Sequence, residues 1–345
     1  MSESANKRLR TIEVEPDAFS LIKPGELVDI VELSPLTLQD RRVYNLLILN
    51  AWESITEPKE HCIHKRELRG THHTSERVGE SVERLMGAIA RVQITRDGKT
   101  FLRRVQLLAP TDEEMNGADG LLYYSFHAGL RAIIKQSSQF ARLQKEVMFA
   151  FSSKYALALY EMVQKRGNLK HKFSEEFPLE RFRSLLGVEA GKLREFKNFK
   201  LRALDPAVLE VNGLGEFGCK VEPVYTGRKV TAIRLSWWAK NLDQKKAAFR
   251  ELRVSKVGRR ARLLGTVERV AVAPPALPAR VPLPARGHSG LREAQVKSLR
   301  AAFPGIDIQE METQFVAWNA EQGTTPENYT GALYGFIKKK VQREA

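Results

Sequence analysis

The sequence predicts an α+β chain: two tandem winged-helix domains, then a proline-rich linker and a small α-helical C-terminal module. Three observations carry this. Helical periodicity followed by a β-hairpin signal appears early in the chain and recurs in the same order in its middle third. Each hairpin is marked by a tight turn, Asp97-Gly98 in the first and Thr226-Gly227-Arg228-Lys229 in the second. The stretch AVAPPALPARVPLPARG, with five prolines, then separates these repeats from a last amphipathic segment. The boundaries expected are a flexible tail over 1–24, a first winged helix over 25–143 and a second over 144–244. A basic extension (245–264), the linker (265–289) and the helical module (290–345) follow.

In the first domain, Ser34 or Thr37 can cap a helix whose Val43, Leu46, Leu47, Ile48 and Trp52 repeat at helical spacing. The segment TEPKEHCIHKRELRGTHH reads as a polar, solvated insert. A second helix over SERVGESVERLMGAIARV turns Val78, Val82, Leu85, Met86 and Ile89 inward and carries Arg77 and Arg84. VQITRDGKTFLRRVQLL gives the wing, with Arg96, Lys99, Arg103 and Arg104. LLYYSFHAGLRAIIKQ reads as a strand running into a short helix. In the second domain, FSSKYALALYEMVQKRG and FPLERFRSLLG read as helices, Gly187 stopping the latter.

The stretch Gly187–Asn212 is central. Leu193, Phe196, Phe199, Ala203, Leu204, Ala207 and Val211 fall on one apolar stripe, and Arg194, Lys197, Asn198 and Arg202 fall opposite. Such a helix can dock on a core and offer its other side to a major groove. Lys192 and Lys200 add charge, and Lys200, near the stripe, is placed to reach phosphates. Asp205-Pro206 predicts a kink, or a new helix capped by Asp205, with the groove-facing half ending near Leu204. Arg228 and Lys229 tip the second wing, and Trp237 and Trp238 are expected to seal the core. Residues 245–262 form either a helical extension or a basic arm, with Arg259, Arg260 and Arg262 placed on an arm that touches DNA or stands in solvent. In the last module, Trp318, Tyr329, Leu333, Phe336, Ile337 and Val341 are expected inside, and Lys338, Lys339, Lys340 and Arg343 end its last helix, the lysine run being either a solvated helix end or a phosphate contact.

The 56 Lys+Arg against 41 Asp+Glu leave a net charge of +15, which favours polyanionic partners. No apolar run reaches membrane-spanning length and no secretory leader is visible, so a cytoplasmic protein with no membrane partner is expected. Cys62 and Cys219 give no disulfide framework and suit a reducing compartment. Enzyme signatures are missing. GVEAGKL is one spacer short of a phosphate-cradling loop and has leucine where a magnesium-binding hydroxyl belongs. His61, Cys62, His64, His72 and His73 lack the spacing of a nickase metal site or a Cys-x-x-Cys anchor, and read as a solvated loop. The expectation is a DNA-binding protein with no catalytic residues, no metal, no cofactor and no enzymatic activity. Nickase or helicase chemistry is the competing reading.

The residues LSPLTLQDRRVYNLLI, FSSKYALALYEMV, KLREFKNFKLRALDPAVLEVN and GRKVTAIRLSW, at their mutual spacing, resemble the replication initiators of iteron-containing, theta-replicating plasmids. The resemblance covers about residues 25–240. It implies twin winged helices that bind direct repeats (iterons) at an origin of double-stranded DNA, promote opening of adjacent AT-rich DNA and recruit host helicase and initiator proteins. It also implies dimers that bind an operator inverted repeat and repress the initiator's own gene. Leu201 stands where the family's run after the aromatic residue has a basic side chain. A winged-helix transcriptional repressor without initiator role is the alternative.

Overall fold

In the computed structural model, residues 10–32, 34–69, 78–115, 120–169, 171–266, 291 and 293–344 are described. They fall into two compact units, Met1–Arg269 and Val270–Ala345.

The first unit begins with β1 (Ser20–Pro24), α1 (Gly25–Val28) and β2 (Val31–Glu32). Thr37 then starts α2 (Leu38–Asn50). Its hydroxyl accepts from the Asp40 N–H while the Asp40 carboxylate accepts from the Thr37 N–H, so two end donors are satisfied reciprocally. β3 (His61–His64), α3 (Lys65–Arg69) and α4 (Val78–Gly87) follow, then the first wing, β4 (Ile89–Arg96) and β5 (Lys99–Gln106). Asp97 and Gly98 have φ of 49° and 72°, the left-handed pair that a two-residue hairpin turn needs. β6 (Asp112–Glu113), β7 (Leu121–Tyr124), α5 (Ala128–Gln136) and β8 (Phe140–Gln144) complete this half, β8 lying antiparallel to β1.

The second half runs through α6 (Lys145–Ala150), α7 (Lys154–Gly167, capped by the Ser153 hydroxyl), β9 (Ser174–Pro178) and α8 (Leu179–Leu185). A long helix follows in three parts: α9 (Phe196–Phe199), a π turn (Lys200–Leu204) and α10 (Asp205–Leu214). The second wing is β10 (Phe217–Thr226) and β11 (Lys229–Ala239), and α11 (Leu242–Arg253) and α12 (Arg259–Leu264) close the unit. Three-stranded sheets form in the orders β2-β4-β5, β3-β7-β6 and β10-β11-β9.

A single hydrophobic core runs through both winged helices. Polar groups are buried where the halves meet. Lys23 from β1 and Asn45 from α2 each reach Glu161 of α7 at 2.8 Å, and Glu161 is 2% exposed. Asp29 accepts from Lys165 (2.6 Å) and Arg166 (3.0 Å) of α7. Arg42 donates to the carbonyls of Met148, Phe149 and Phe151.

Several expectations are corrected. Residues 20–24, assigned to the tail, are the buried strand β1. Residues 56–60 of the polar insert are an irregular stretch, exposed from 57 on, but its middle is not a loop: β3 pairs with β7, turning His61 and Ile63 inward and Cys62 and His64 outward. Gly87 ends α4, so Ile89 opens a strand and is 38% exposed. Pro178 precedes α8 with no side-chain cap, and β9 before it was not expected. Trp237 is buried, but alternation along β11 turns Trp238 outward, across Gly218. The linker residues 267–290 lie outside the described residues.

The second unit holds α13 (Glu293–Ala302), α14 (Ile308–Gln322) and α15 (Tyr329–Glu344) around Leu299, Ile308, Phe315, Leu333 and Ile337. Trp318 is at the rim rather than inside, 46% exposed, with its ring stacked beside Phe315.

Candidate nucleic-acid interface

The second domain's reader begins where α8 stops. Gly187 takes φ 74° and the Val188 N–H returns to the Arg183 carbonyl, closing the helix end. The loop that follows contains Gly191 (φ 79°) and Leu193 (φ 49°), a left-handed conformation that a leucine side chain resists by about 1–3 kcal/mol. Arg183 offsets this. Its buried guanidinium donates to the carbonyls of Lys192 (2.9 Å), Leu193 and Arg194, and lies 4.9 Å from the Phe199 ring centre. The loop thus leaves Lys192 and Arg194 exposed.

Leu193 therefore precedes the helix, which starts at Phe196. Phe199, Ala203, Leu204, Ala207 and Val211 are buried, as the apolar stripe predicts. Asp205 has helical angles (φ −60°, ψ −44°), so it does not cap the segment that starts there, although Pro206 does lie in that segment's first turn. Proline lacks an N–H and crowds the carbonyl four residues back. The chain accommodates this by widening one turn, so that the Asp205 N–H reaches the carbonyl of Lys200, five residues back. The same wide turn brings Lys200 Nζ within 2.7 Å of both Asp205 carboxylate oxygens. Lys197, Lys200, Leu201, Arg202 and Asp205 are exposed, and Asn198 is half-buried, donating to Glu195 at 3.2 Å. The exposed side thus runs to Asp205. Leu201 is 57% exposed in the middle of these polar groups.

The second wing projects beside this helix in sequence and shares its core. Thr226 pairs with Lys229 across Gly227 (φ 61°), which puts Arg228 and Lys229 at an exposed tip. Tyr225, 60% exposed on the same hairpin, is a further candidate that polar patterning does not single out.

The first domain differs. Arg84 is engaged by Asp40, with two 2.9 Å hydrogen bonds to a fully buried carboxylate. Burial alone would raise the Asp40 carboxyl; Arg84, the Thr37 N–H and Ser81 outweigh it and hold the group below the usual carboxylate range. Arg84 is thereby a structural residue, and the exposed positions of α4 include Glu80 and Glu83. Of the wing residues, Lys99 and Arg104 are exposed, and Arg103 is half-buried with its guanidinium 3.4 Å from the Gly129 carbonyl. Arg77 and the side chain of Arg96 lie outside the described residues.

Of the two alternatives for the basic extension the helical one forms, as α11 and α12, and the arm is corrected. Arg259 is 7% exposed and donates to the carbonyls of Ala150, Glu251 and Val254, while Arg262 binds the Glu251 carboxylate at 2.7 Å. They pin α12 to the fold instead of forming an arm; Arg260 alone of the three is exposed. His61 is buried against Tyr124 and Phe126, on the face of β3 away from Cys62 and His64, and burial pulls its pKa down. His72 and His73 lie outside the described residues. Among the described residues no helix is long and apolar enough to cross a membrane.

Residues 21–164 match the family model for the initiator replication protein's first winged helix, and residues 178–237 match that for the initiator Rep protein's second. Together they cover more than half of the chain. The chain belongs to the initiator Rep family. The candidate contact residues of the two wings, of α4 and of the 192–202 stretch of this initiator fall inside the two matched segments, and Arg260 falls outside them. Two solved structures also align with it. One is the Pi initiator protein in complex with iteron DNA, at 15% identity over 65% of this chain and 98% of that one, TM-score 0.43. The other is domains 2 and 3 of RctB, at 10% identity over 59% and 82%, TM-score 0.35. No curated protein sequence matches it.

Proposed function

We propose that this initiator binds direct repeats in double-stranded origin DNA, with the exposed side of the 192–205 segment in a major groove. Arg228 and Lys229 hold the adjacent backbone, and the first wing holds it further along through Lys99 and Arg104. The observation that carries the reading is the division of the long helix: Phe199, Ala203, Leu204, Ala207 and Val211 are shut in the core while Lys197, Leu201 and Arg202 face out. Phosphate contacts supply affinity and register, and side chains on base edges supply sequence choice. Binding of many copies strains neighbouring AT-rich DNA, and host replication proteins assemble on the opened tract. Dimers on an inverted repeat repress the initiator's own gene. The protein works in the cytoplasm, without a cofactor and without enzymatic activity.

Footprinting on the DNA upstream of the chain's own gene tests this. Protection over a tandem array of direct repeats is the expected result. Protection confined to a lone inverted repeat at a promoter would make the protein a repressor. Nicking or ATP turnover by the pure protein on supercoiled DNA with magnesium would overturn the non-enzymatic part.

A further inference from the structure

A cleft of about 780 Å³ lies between the two winged helices of the first unit. Val31, Ser34 and Arg91 come from the first domain, and the loop before the second domain's reader forms the facing wall. Arg91 is the outward residue of the central strand β4, between Ala90 and Val92, which are buried. Its cross-strand partner on β5 is Arg104. Like charges directly opposite on one sheet face repel. Among the described residues neither arginine has a carboxylate partner, and the Arg91 Nε is shut from solvent without a hydrogen bond.

Lys192 and Arg194 stand on the other wall, held there by the Arg183 guanidinium behind them. They too have no carboxylate partner among the described residues. The two acids that line the cleft already have basic neighbours: Glu189 binds Lys154 at 3.3 Å, and Glu180 lies 3.7 Å from Arg183. Arg104, Arg91, Lys192 and Arg194 therefore form a run of uncompensated charge leading from the first wing to the start of the second domain's reader. Both ends of the run rest on one continuous core.

We propose that this cleft is a backbone seat, in which Arg91 and Arg194 hold phosphates of one DNA strand from opposite walls, between the two grooves that the domains occupy. The seat rests on the DNA-binding reading and adds the stretch of backbone that neither reading helix nor wing tip reaches. It fixes the distance between the two half-contacts, because its walls belong to different domains. It also supplies in the first domain the positive charge that α4, with Glu80 and Glu83 outward, does not.

The test uses the full chain and its upstream duplex, titrated from about 50 to about 200 mM salt, where each lost phosphate contact removes about one unit of log–log slope. Arg91→Gln is expected to flatten the slope by that amount and to weaken specific and random duplexes alike. Arg194→Gln, at an exposed position, is expected to do the same with an unchanged melting temperature. Methylphosphonate linkages midway between the two groove footprints should weaken the wild type more than Arg91→Gln, which keeps only the Arg194 contact, and should leave the Arg91→Gln/Arg194→Gln double variant unaffected. If both variants keep the wild-type slope while Arg202→Ala loses specific binding, the seat is wrong and the DNA-binding reading stands. A wild-type chain that binds no duplex from that region overturns both.

Discussion

In the proposed interface, three neighbouring residues make distinct demands on DNA. Arg202 is exposed, has no carboxylate partner among the described residues, and carries the fork that matches guanine O6 and N7. Arg202→Ala should weaken binding to the cognate repeat by about 1–3 kcal/mol and leave random duplex nearly unchanged, measured by competition titration. An equal loss on both would place it on a phosphate. Leu201 offers no hydrogen bond, but an apolar side chain in a major groove suits the thymine methyl. Replacing thymine by uracil in the repeat should therefore weaken the wild type and leave Leu201→Ala indifferent; equal sensitivity in both proteins would remove Leu201 from readout. Lys200 is tied to Asp205, and with side chains 47% and 50% exposed the pair adds at most about 1 kcal/mol to stability. Its stronger effect is on DNA, since Asp205 puts a negative charge on the groove side. Asp205→Asn should raise affinity for random duplex and steepen the salt dependence with little change in melting temperature.

At the scale of elements, the reader depends on a residue it does not contain. Arg183→Met would keep most of the contact with Phe199 but leave the carbonyls of Lys192, Leu193 and Arg194 without their donor. Several part-buried acceptors losing their donor together should cost about 1–3 kcal/mol in urea unfolding, and DNA binding should fall further than stability alone accounts for. Unchanged binding in the folded variant would show that the loop needs no such brace. This brace was hidden in the sequence for the same reason as the engagement of Arg84, Arg259 and Arg262. Whether an arginine faces solvent, a carboxylate or a ring of carbonyls is decided by chain segments distant in sequence, and composition reads all of them as basic surface. Locally determined elements were legible. The Thr37 cap, the Asp97-Gly98 turn and the stripe from Phe199 to Val211 each depend on neighbours within a few residues, and each forms as its pattern predicts. Strands β3 and β9 were missed because their partners lie far along the chain. At Asp205-Pro206 only the capping alternative fails, because a π turn relieves the proline clash while Asp205 keeps helical angles.

At the scale of the whole first unit, the two winged helices are joined by charge as well as by core, and this gives the fold an acid limit. Burial alone would raise the Asp29 carboxyl, but Arg166 and Lys165 outweigh it and hold the group below its ordinary value of 3.8. Asp40 behaves likewise beside Arg84. A carboxyl with a depressed folded-state pKa binds protons less readily when folded than when unfolded, so acid favours the unfolded chain. The stability these groups contribute is fully present above the unfolded value, near 3.8, and is lost as pH falls through the lower folded value. Melting measured from pH 7 down to below that value should show a steep acid loss, and Asp29→Asn should be less stable at pH 7 yet lose less on acidification. Because Asp29 joins α1 to α7, its neutralisation should also loosen the fixed spacing of the two DNA-binding heads. A repeat lengthened by one base pair between the two footprints would then be penalised less by Asp29→Asn than by the wild type. Equal penalties would mean that the shared core alone sets the spacing.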